Sequence, residues 1–370
     1  MNQCFDKYRN QKIQLLDLSR EYDLLKNEIH SAIENVLSKG WYILGDYVTE
    51  FENDFAKYNN YQYGIGVASG LDALTLALVA LDIKAGDEVL LPANSFIATA
   101  LAVSKTGASP VFVDIDEKTF NICPIDTNKK ISKKTKAIIP VHLYGKLAPM
   151  KELKMICQKN NLKLISDASQ AHGLIDIEAD IACYSLHPIK NIGAYGDAGI
   201  ILSNDISIKE KLLKLRNYGF SQKYHCEILG CNSRLDELQA AILSVKLKYL
   251  SNWVSRRQEI AKLYHQKLSS IKSIILPQQE NHVFYAYTIR VLHHKRDLLK
   301  AKLEESGIGT TILYPIPLHL QKCYSELSYK PGDMPVTEQI TLEILSIPIS
   351  PFHLDQEIEL VAQKINEILD

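Results

Sequence analysis

Lys190 lies in the short turn Pro188–Gly193, 23 positions after the pair Ser166–Asp167 that closes an apolar run. A lysine amine can form a Schiff base with a carbonyl group once it is neutral. Burial or a neighbouring positive charge lowers its pKa toward that state. Most lysines are solvated surface charges, but the neighbours Ile189 and Ile192 favour burial here. The sequence therefore makes Lys190 a candidate for covalent catalysis.

Asp167 is the second candidate, because a carboxylate at the end of a buried strand is costly unless it is paired. Its alternative role is the N-cap of a following helix. A protonated pyridine nitrogen would be a suitable partner, and its charge would let the ring accept the electrons of a carbanion. Lys190 and Asp167 together predict a pyridoxal-phosphate (PLP) enzyme. Gln170 could donate to the ring hydroxyl, and His172 could pack beneath Asp167 and orient it.

A phosphate site is predicted at Ser69–Leu71, where a helical pattern begins after a short apolar run. The glycine at position 70 allows close approach, and the first amides of a helix are free donors. Asp72 competes for the same positive helix end, so its side chain must point away from the phosphate. Ser185 could donate a further hydrogen bond. Phe96, at the start of the next helix, could stack on a pyridine ring or pack in the core.

Short apolar runs alternate with helical patterns from residue 64 onward, which is typical of an α/β fold with a largely parallel sheet. Ligands of such sheets bind at the carboxyl ends of the strands, and Ser69, Asp167 and Lys190 all follow predicted strand ends. The predicted strands are Gly64–Ala68, Glu88–Pro92, Pro110–Asp114, Ala137–Val141, Leu162–Asp167, Ile181–Leu186 and Gly199–Ser203. The predicted helices are residues 17–38, Tyr47–Tyr58, Leu71–Leu81, Ser95–Lys105 and Met150–Asn160.

Two long amphipathic helices, Leu235–Leu250 and Trp253–Leu268, indicate a domain boundary near residue 250. The length of 370 residues agrees with about two domains. We therefore expect a large PLP-binding α/β domain over residues 1–250 and a small α+β domain over residues 251–370. The further elements predicted in the small domain are the strand Val283–Val291, the helix Lys295–Ser306, a possible strand Thr310–Tyr314 and the helix Asp355–Leu369.

The composition argues against several classes of partner. The net charge is −1, from 42 basic and 43 acidic residues, so we expect no nucleic-acid partner. No uninterrupted apolar stretch reaches about 18 residues and no signal peptide is visible, so we expect no membrane span. The seven cysteines are scattered and odd in number, which favours reduced thiols in a cytoplasmic protein. Cys226 and Cys231 form the only close pair, without a histidine cluster, and no metal site is expected.

Three blocks of the sequence resemble the DegT/DnrJ/EryC1/StrS family of PLP-dependent aminotransferases, which act on nucleotide-linked keto-sugars. The resemblance runs from Tyr42–Gly45 to the last predicted helix, and the order of the blocks makes it specific. The blocks are Asp167–Gly173, then Ser185–Ala194 with Gly196–Gly199, and then Tyr218–Gly219 with Asn232–Ala241.

The resemblance implies a fold type I aminotransferase with a mixed, mostly parallel seven-stranded sheet and a smaller C-terminal α+β domain. It also implies a homodimer with shared active sites. By this resemblance Lys190 would bind the cofactor as a Schiff base, Asp167 would contact the pyridine nitrogen and Gln170 would lie near the ring oxygen. The remaining implied cofactor residues are Ser69, Gly70, Leu71 and Ser185 at the phosphate, Phe96 on the ring, and Asn232, which would reach the phosphate from the partner subunit.

The family also contains dehydratases that carry histidine in place of the lysine, and Lys190 argues against that branch. The segments Ser69–Leu74, Pro92–Ala100 and Tyr314–Gln321 resemble enzymes that aminate C3 of dTDP-3-keto-6-deoxyhexoses. Their products are 3-amino-3,6-dideoxy-galactose or -glucose, and surface polysaccharide or glycoconjugate synthesis is the expected destination. L-Glutamate is the expected donor, with pyridoxamine phosphate as the intermediate cofactor form. The candidates for the sugar pocket are His187, Tyr314 and His319.

Other functions stay open at this point. The chain could aminate C4 of a UDP- or dTDP-4-keto-6-deoxyhexose. It could also be a noncatalytic regulator that binds PLP without turnover, or an α/β protein that binds no cofactor at all. The galacto or gluco configuration of the sugar depends on a few contacts in the pocket, and the sequence leaves it undecided.

Overall fold

The structure is a computed structural model that describes residues 12–175 and 178–369. It alternates strands and helices through its first two thirds. The strands are β1 Tyr63–Val67, β2 Glu88–Pro92, β3 Ser109–Val113, β4 Thr135–Ile138, β5 Lys163–Asp167, β6 Ile181–Ser185, β7 Gly199–Ser203, β8 Phe220–Gln222, β9 His225–Cys226, β10 Ile274–Ile275, β11 Tyr287–Val291 and β12 Ile344–Ile347. The helices are α1 Leu18–Lys39, α2 Asp46–Tyr58, α3 Gly70–Ala80, α4 Ile97–Lys105, α5 Pro124–Lys130, α6 Met150–Asn160, α7 Ile206–Leu215, α8 Glu237–Leu247, α9 Leu250–Leu268, α10 Arg296–Glu305, α11 Pro335–Glu343 and α12 Asp355–Leu369.

The main sheet has seven strands in the order β1-β7-β6-β5-β4-β2-β3. Strand β7 runs antiparallel to both of its neighbours, and the other paired strands are parallel. Because β1 and β6 are each antiparallel to β7, they point the same way, and so do β5, β4, β2 and β3. The carboxyl ends of six strands therefore meet at one edge of the sheet. This confirms the predicted α/β class and the mixed, mostly parallel seven-stranded sheet.

Both faces of this sheet are covered, as the apolar composition of the strands requires. Strand β6 illustrates the arrangement, since its successive side chains point to opposite faces. Ile181 and Cys183 are buried in the same cluster as Leu74 of α3. Ala182 and Tyr184 are buried in another cluster with Phe55 of α2. Each face therefore holds a separate layer of helices against the sheet.

A three-stranded antiparallel sheet, in the order β10-β11-β12, forms the centre of the C-terminal part. Its apolar cluster includes residues of α9, α10 and α12, and Ile13 also joins it through a bridge to Ile308. Arg20 at the start of α1 donates two 2.7 Å hydrogen bonds to the carboxylate of Glu357 in α12. Residues from early in the chain thus pack against the C-terminal part. The boundary near residue 250 stays a prediction.

The element boundaries agree with the predictions in most of the large part and depart from them near the end. Helix α1 has Asp17 as its N-cap and Gly40 in the left-handed conformation at its C-cap. The predicted strand Thr310–Tyr314 is wrong, because only Thr311 forms a bridge, to Ser346 of β12. Pro315, which follows the predicted strand, has no backbone N–H to donate to a neighbouring strand. The predicted strand Val283–Val291 is shortened to β11. The helices α5, α7 and α11, the strands β10 and β12 and the hairpin β8–β9 were not predicted.

Within residues 12–175 and 178–369, no helix combines the length and the apolar character that a membrane span requires. The same residues contain no group of three or more histidine, cysteine, aspartate or glutamate side chains arranged to hold a metal ion. Cys226 and Cys231 are both exposed free thiols.

Candidate active site

A cavity of about 590 Å³ lies at the carboxyl edge of the main sheet, and most of the predicted site residues line it. Ser69 follows β1, Asp167 ends β5, and Lys190 lies in the turn after β6. All three residues line the cavity. The parallel directions of β1, β5 and β6 bring their ends together, which is where ligands bind in sheets of this kind.

Asp167 is buried at 5% exposure, and donors hold both oxygens of its carboxylate. Thr99 Oγ1 donates to Oδ2 at 2.8 Å, and the amide of Ser169 donates to Oδ1 at 3.2 Å. Thr99 in turn contacts Ser95, with 2.8 Å between the two hydroxyl oxygens. A carboxylate has about four acceptor positions, so Asp167 can still accept a hydrogen bond from a cationic group in the cavity.

Lys190 is partly buried in a tight turn that also lines the cavity. Its amide donates to the carbonyl oxygen of His187 at 2.9 Å, and its Nζ lies 4.7 Å from the centre of the Tyr285 ring. A Cβ at Gly193 would lie 2.5 Å from the His187 oxygen, so this turn requires glycine. The turn and the ring of Tyr285 together fix the position of the amine.

A buried ion pair supports the turn from behind. Nζ of Lys246, in α8, donates to the carbonyl oxygen of Gly193 at 2.6 Å and pairs with the carboxylate of Glu21 in α1. The same Nζ lies 4.1 Å from the centre of the Tyr195 ring. Burial raises the pKa of Glu21 and lowers that of Lys246, and each partner's charge opposes the other's shift. Helices α1 and α8 are thereby joined to the loop that carries Lys190.

The amino end of α3 lies at the cavity, where the sequence predicts a phosphate site. Ser69 is its N-cap and accepts a 3.1 Å hydrogen bond from the amide of Asp72. The amides of Gly70 and Leu71 belong to the first turn, where backbone donors have no acceptor within the helix. A Cβ at Gly70 would lie 2.5 Å from Cβ of Ser185, so the helix end and β6 are in close contact. Ser69, Gly70, Leu71 and Ser185 all line the cavity.

The side chain of Asp72 is held outside this cavity. Its Oδ2 accepts a 2.8 Å hydrogen bond from the Ser233 hydroxyl, and its Oδ1 lies 3.9 Å from Nζ of Lys105. The carboxylate is absent from the described cavity lining. The positive end of α3 is therefore available to an anion. The phosphate site predicted from the sequence required this orientation of Asp72.

Gln170 and two aromatic residues, Phe96 and Tyr314, also line the cavity. Gln170 accepts from the amide of Tyr144 at 2.6 Å and donates to the hydroxyl of Tyr314 at 3.0 Å. Burial raises the pKa of Tyr314 well above its usual value, so it is a neutral phenol whose proton can be donated into the cavity. Phe96, the N-cap of α4, is 55% exposed, and its ring centre lies 5.7 Å from that of Tyr314. Phe96 is thus free to contact a flat ring.

His172 hydrogen-bonds the backbone at the end of β6, the strand that precedes the turn with Lys190. Its Nε2 is 2.8 Å from the carbonyl oxygen of Ser185, whereas the recorded donors to Asp167 are Thr99 and Ser169. Burial lowers the pKa of His172 to about 3, and the charge of Lys190 contributes to the decrease. A neutral ring therefore donates from Nε2, and its position supports Ser185.

Of the predicted sugar-pocket residues, the structure places His187 and Tyr314 in the cavity lining. It does not bring His319 there. His319 is 2% exposed, and its Nε2 lies 3.0 Å from the carboxylate of Glu338 in α11. Asn232 is exposed, forms an isolated β-bridge with Asn217 and is not among the described residues that line the cavity of its own subunit. A contact between Asn232 and a partner subunit's cofactor stays a prediction.

The donor set fits PLP. The free amides and hydroxyls at the start of α3 suit a phosphate, and a buried carboxylate suits a protonated ring nitrogen. The amine of Lys190 lines the same cavity, as a covalent link to the cofactor's carbonyl carbon requires. Lys190 and Asp167 would hold the two ends of the ring system, and Phe96 would cover one face.

Three residues of the site were missed in the sequence. Thr99 was quoted within a block but was given no role, although it lies one helical turn after Phe96 and so shares its face of α4. Ser169 had no assigned contact, yet its Oγ accepts from the amide of Ser185 at 3.2 Å. Tyr285 belongs to the C-terminal part and reaches Lys190 from nearly a hundred residues away, and no local pattern marks it.

Known proteins resemble the chain over nearly its whole length. A profile of the DegT/DnrJ/EryC1/StrS aminotransferase family matches residues 23–366. A protein of Aneurinibacillus thermoaerophilus, called dTDP-3-amino-3,6-dideoxy-alpha-D-galactopyranose transaminase, is 46% identical over 362 residues, 96% of this chain and 99% of its own length. A "pleiotropic regulatory protein" of Geobacillus stearothermophilus is 43% identical over 366 residues, 96% of this chain and 98% of its own. The X-ray structure of S. venezuelae DesV in complex with a ketimine intermediate has a TM-score of 0.94 at 38% identity, and the match covers 97% of this chain and 98% of that one.

Proposed function

Because the chain belongs to the DegT/DnrJ/EryC1/StrS aminotransferase family, we propose that it transfers an amino group from L-glutamate to C3 of a dTDP-linked 3-keto-6-deoxyhexose. The coarser function is a PLP-dependent aminotransferase of sugar nucleotides with the fold type I architecture. The choice of dTDP, of C3 and of a 6-deoxy sugar is supported by the 46% identity to the Aneurinibacillus transaminase. The product would be a 3-amino-3,6-dideoxyhexose for a surface polysaccharide or another glycoconjugate.

The residues of the cavity have distinct tasks in this reaction. PLP, when bound, supplies an electron sink for the carbon that exchanges its amino group. Lys190 would hold the cofactor, and its free amine would accept the proton that leaves the α-carbon of the amino donor. Asp167 would stabilise a protonated ring nitrogen. Tyr314 and His187 line the space in front of Lys190, where the sugar would bind.

The observation that carries the proposal is the convergence of Lys190 and Asp167 on one cavity. Replacing Lys190 with alanine should abolish turnover, because the covalent link and the proton-transferring amine are lost together. Lys209→Ala is the matched control for Lys190→Ala, because Nζ of Lys209 also lies 4.7 Å from the centre of a tyrosine ring, that of Tyr63. The measurement is product formation from glutamate and sugar nucleotide, together with the visible absorbance of the purified protein. Near-wild-type rates in the Lys190→Ala protein would refute the assignment.

The choice of sugar is tested by competition between substrates. The two C4 epimers of a dTDP-3-keto-6-deoxyhexose should both be compared with a dTDP- and a UDP-4-keto-6-deoxyhexose at equal concentrations. We expect the higher kcat/KM for one 3-keto epimer. A higher kcat/KM for a 4-keto sugar would indicate that the enzyme aminates C4 instead of C3. Cofactor binding without glutamate-dependent bleaching of the absorbance would instead favour a noncatalytic regulator, a function suggested by the name of the Geobacillus relative.

We further propose a homodimer in which each site takes Asn232 from the partner subunit. Asn232 is exposed and is not among the described residues that line the cavity of its own chain. The test mixes two inactive variants, Lys190→Ala and Asn232→Asp, after joint refolding. Random pairing in a shared-site dimer restores about a quarter of the sites, because half of the dimers are mixed and each has one intact site. No recovered activity in a verified mixture would contradict the sharing of Asn232.

A further inference from the structure

A second, smaller cavity adjoins the active site and contains a buried cation. Its volume is about 100 Å³, and three of its lining residues, Ile189, Tyr285 and Leu313, also line the active-site cavity. Arg257 is the one charged side chain among its described lining residues, and the others there are apolar or aromatic. Ile189 precedes Lys190 directly in the chain, so the two cavities meet beside the reactive amine.

Arg257 lacks a carboxylate partner among the residues that the structure describes. It is 2% exposed, and its NH1 donates to the carbonyl oxygens of Phe284 at 3.2 Å and Ile349 at 2.9 Å. Its Nε is buried without a hydrogen-bond partner. Burying a guanidinium with only neutral acceptors is costly. This arrangement is therefore suited to an anion that arrives from outside the chain.

The charge on Arg257 persists at neutral pH. Burial lowers its pKa to about 10, and the phenol of Tyr285 and the carboxylate of Glu21 act in the opposite direction. Neither group serves as its ion-pair partner, because Glu21 pairs with Lys246 and the ring of Tyr285 faces Lys190. An arriving carboxylate would meet a charged guanidinium in a poorly solvated space, where such pairing is strong.

The proposed reaction needs such a site. L-Glutamate carries two carboxylates, and the basic side chains among the described lining of the main cavity are those of His187 and Lys190. Lys190 is committed to the cofactor and to proton transfer. A volume of about 100 Å³ is enough for a carboxylate with its neighbouring methylene, since one water occupies about 30 Å³ of liquid.

We propose that the side cavity holds one carboxylate of the amino donor on Arg257, which makes Arg257 a binding and specificity residue for the first half of the reaction. The inference rests on the proposed use of a carboxylate-bearing amino donor. Leu16, which lines the side cavity but not the active-site cavity, would limit the length of the donor that fits. The site accordingly selects amino acids over simple amines.

The test uses two variants that affect the cavity differently. Leu16→Trp fills the space and leaves the hydrogen bonds of Arg257 to Phe284 and Ile349 in place, whereas Arg257→Gln removes the charge. Both should raise the KM for glutamate by about tenfold to a hundredfold, the range for a hydrogen bond to a charged group. The KM for the sugar nucleotide should stay within about twofold of wild type. Arg256→Gln is the matched control, because Arg256 is the neighbouring, partly exposed arginine that pairs with Asp355.

A binding measurement without turnover accompanies the kinetics. Glutarate, which has both carboxylates of glutamate but no amine, should raise the melting temperature of the wild-type holoenzyme and of Arg256→Gln. It should not raise that of Leu16→Trp or Arg257→Gln. Unchanged glutamate KM and an unchanged glutarate response in folded Leu16→Trp would overturn the carboxylate site while leaving the aminotransferase function intact. A wild-type protein without any glutamate-dependent turnover would instead refute the proposed function.

Discussion

Thr99 Oγ1 donates a 2.8 Å hydrogen bond to Oδ2 of Asp167, and both residues are buried beneath the active-site cavity. Helix α4 thus fixes the orientation of the carboxylate at the end of β5. Because Ser95 continues the chain of hydroxyls, the position of Asp167 depends on the same helix whose N-cap, Phe96, faces the cavity. Cofactor orientation and the packing of α4 are therefore linked.

Replacing Thr99 with valine should weaken both cofactor binding and turnover. The substitution keeps the branched shape and removes one of the two recorded donors to Asp167. A hydrogen bond to a charged group contributes about 1.5–3 kcal/mol, so we expect the Kd for PLP to rise by about tenfold to a hundredfold. Thr99→Ser, which keeps the hydroxyl, is the control. Equal affinities in the valine and serine variants would show that the hydroxyl is not needed.

Replacing Gly70 with alanine should impair the phosphate site. The new Cβ would lie 2.5 Å from Cβ of Ser185 and 2.9 Å from its Cα, so the amino end of α3 must move away from β6. We expect roughly a tenfold or greater rise in the Kd for PLP, equivalent to about 1.4 kcal/mol or more. Equilibrium dialysis of the apoenzyme measures this.

A control for the glycine substitution is Gly196→Ala. Its Cβ would meet only the flexible end of the Gln239 side chain, at 3.2 Å. The Kd for PLP should change little in this variant. A Gly70→Ala protein that binds PLP as tightly as Gly196→Ala does would contradict the assigned role of the helix end.

Acidification should destabilise the protein, and His282 should account for part of the effect. Burial lowers the pKa of His282 to about 3, and the charges of Lys146 and His265 contribute. Between pH 6.5 and about 3 the unfolded chain takes up a proton that the folded chain does not. The free energy of unfolding therefore falls as the pH falls, by up to about 1.4 kcal/mol per pH unit from this residue. Above pH 6.5 His282 contributes no pH dependence.

Urea denaturation of the His282→Asn variant at pH 7.5 and pH 5 tests this expectation. Asparagine can replace His282 Nδ1 as the acceptor for the amide of Phe284, a 2.9 Å contact. The variant should be less stable than wild type at pH 7.5, and the difference should narrow by about 2 kcal/mol at pH 5. Phe284→Leu removes the 3.9 Å stacking between the rings of His282 and Phe284 but changes no titrating group. Its loss of unfolding free energy relative to wild type should therefore be similar at both pH values. If His282→Asn were less stable than wild type by the same free energy at both pH values, the titration of His282 would not contribute to the pH dependence of stability.

Removing Lys246 should destabilise the fold because it leaves Glu21 buried and unpaired. Breaking a buried ion pair from one side costs about 3–5 kcal/mol, whereas removing both charges is often much less harmful. We therefore expect Lys246→Met to lower the free energy of unfolding by that amount and the additional substitution Glu21→Gln to restore part of it. Lys211→Met is the surface control, since its partner Asp82 has an 84% exposed side chain and such pairs contribute at most about 1 kcal/mol. If the loss of unfolding free energy in the double variant equalled the sum of the losses in the two single variants, Lys246 and Glu21 would not be coupled.

The sequence predicted the elements that carry the chemistry better than the contacts between them. Ser69, Asp167 and Lys190 each follow a strand whose apolar composition is evident locally, and the carboxyl-edge rule brought them together correctly. The role of Thr99 depends on the angle at which α4 packs on the sheet, and Tyr285 arrives through tertiary structure alone. His319 lies outside the described lining of the cavity, and a histidine among prolines carries no sign of Glu338, the partly exposed carboxylate that it contacts instead. Long-range pairings of this kind leave no periodicity in the sequence.

The pair Arg20–Glu357 joins α1 to α12 across more than three hundred residues. On a ribosome, α1 emerges long before the helix that supplies its carboxylate. Strands β1 to β7 can assemble in the meantime, because all seven strands of the main sheet precede residue 204. The last steps of folding must then close a very long loop, which slows them relative to local pairing. Nascent chains that stop before residue 355 should consequently contain an organised sheet and an open C-terminal part.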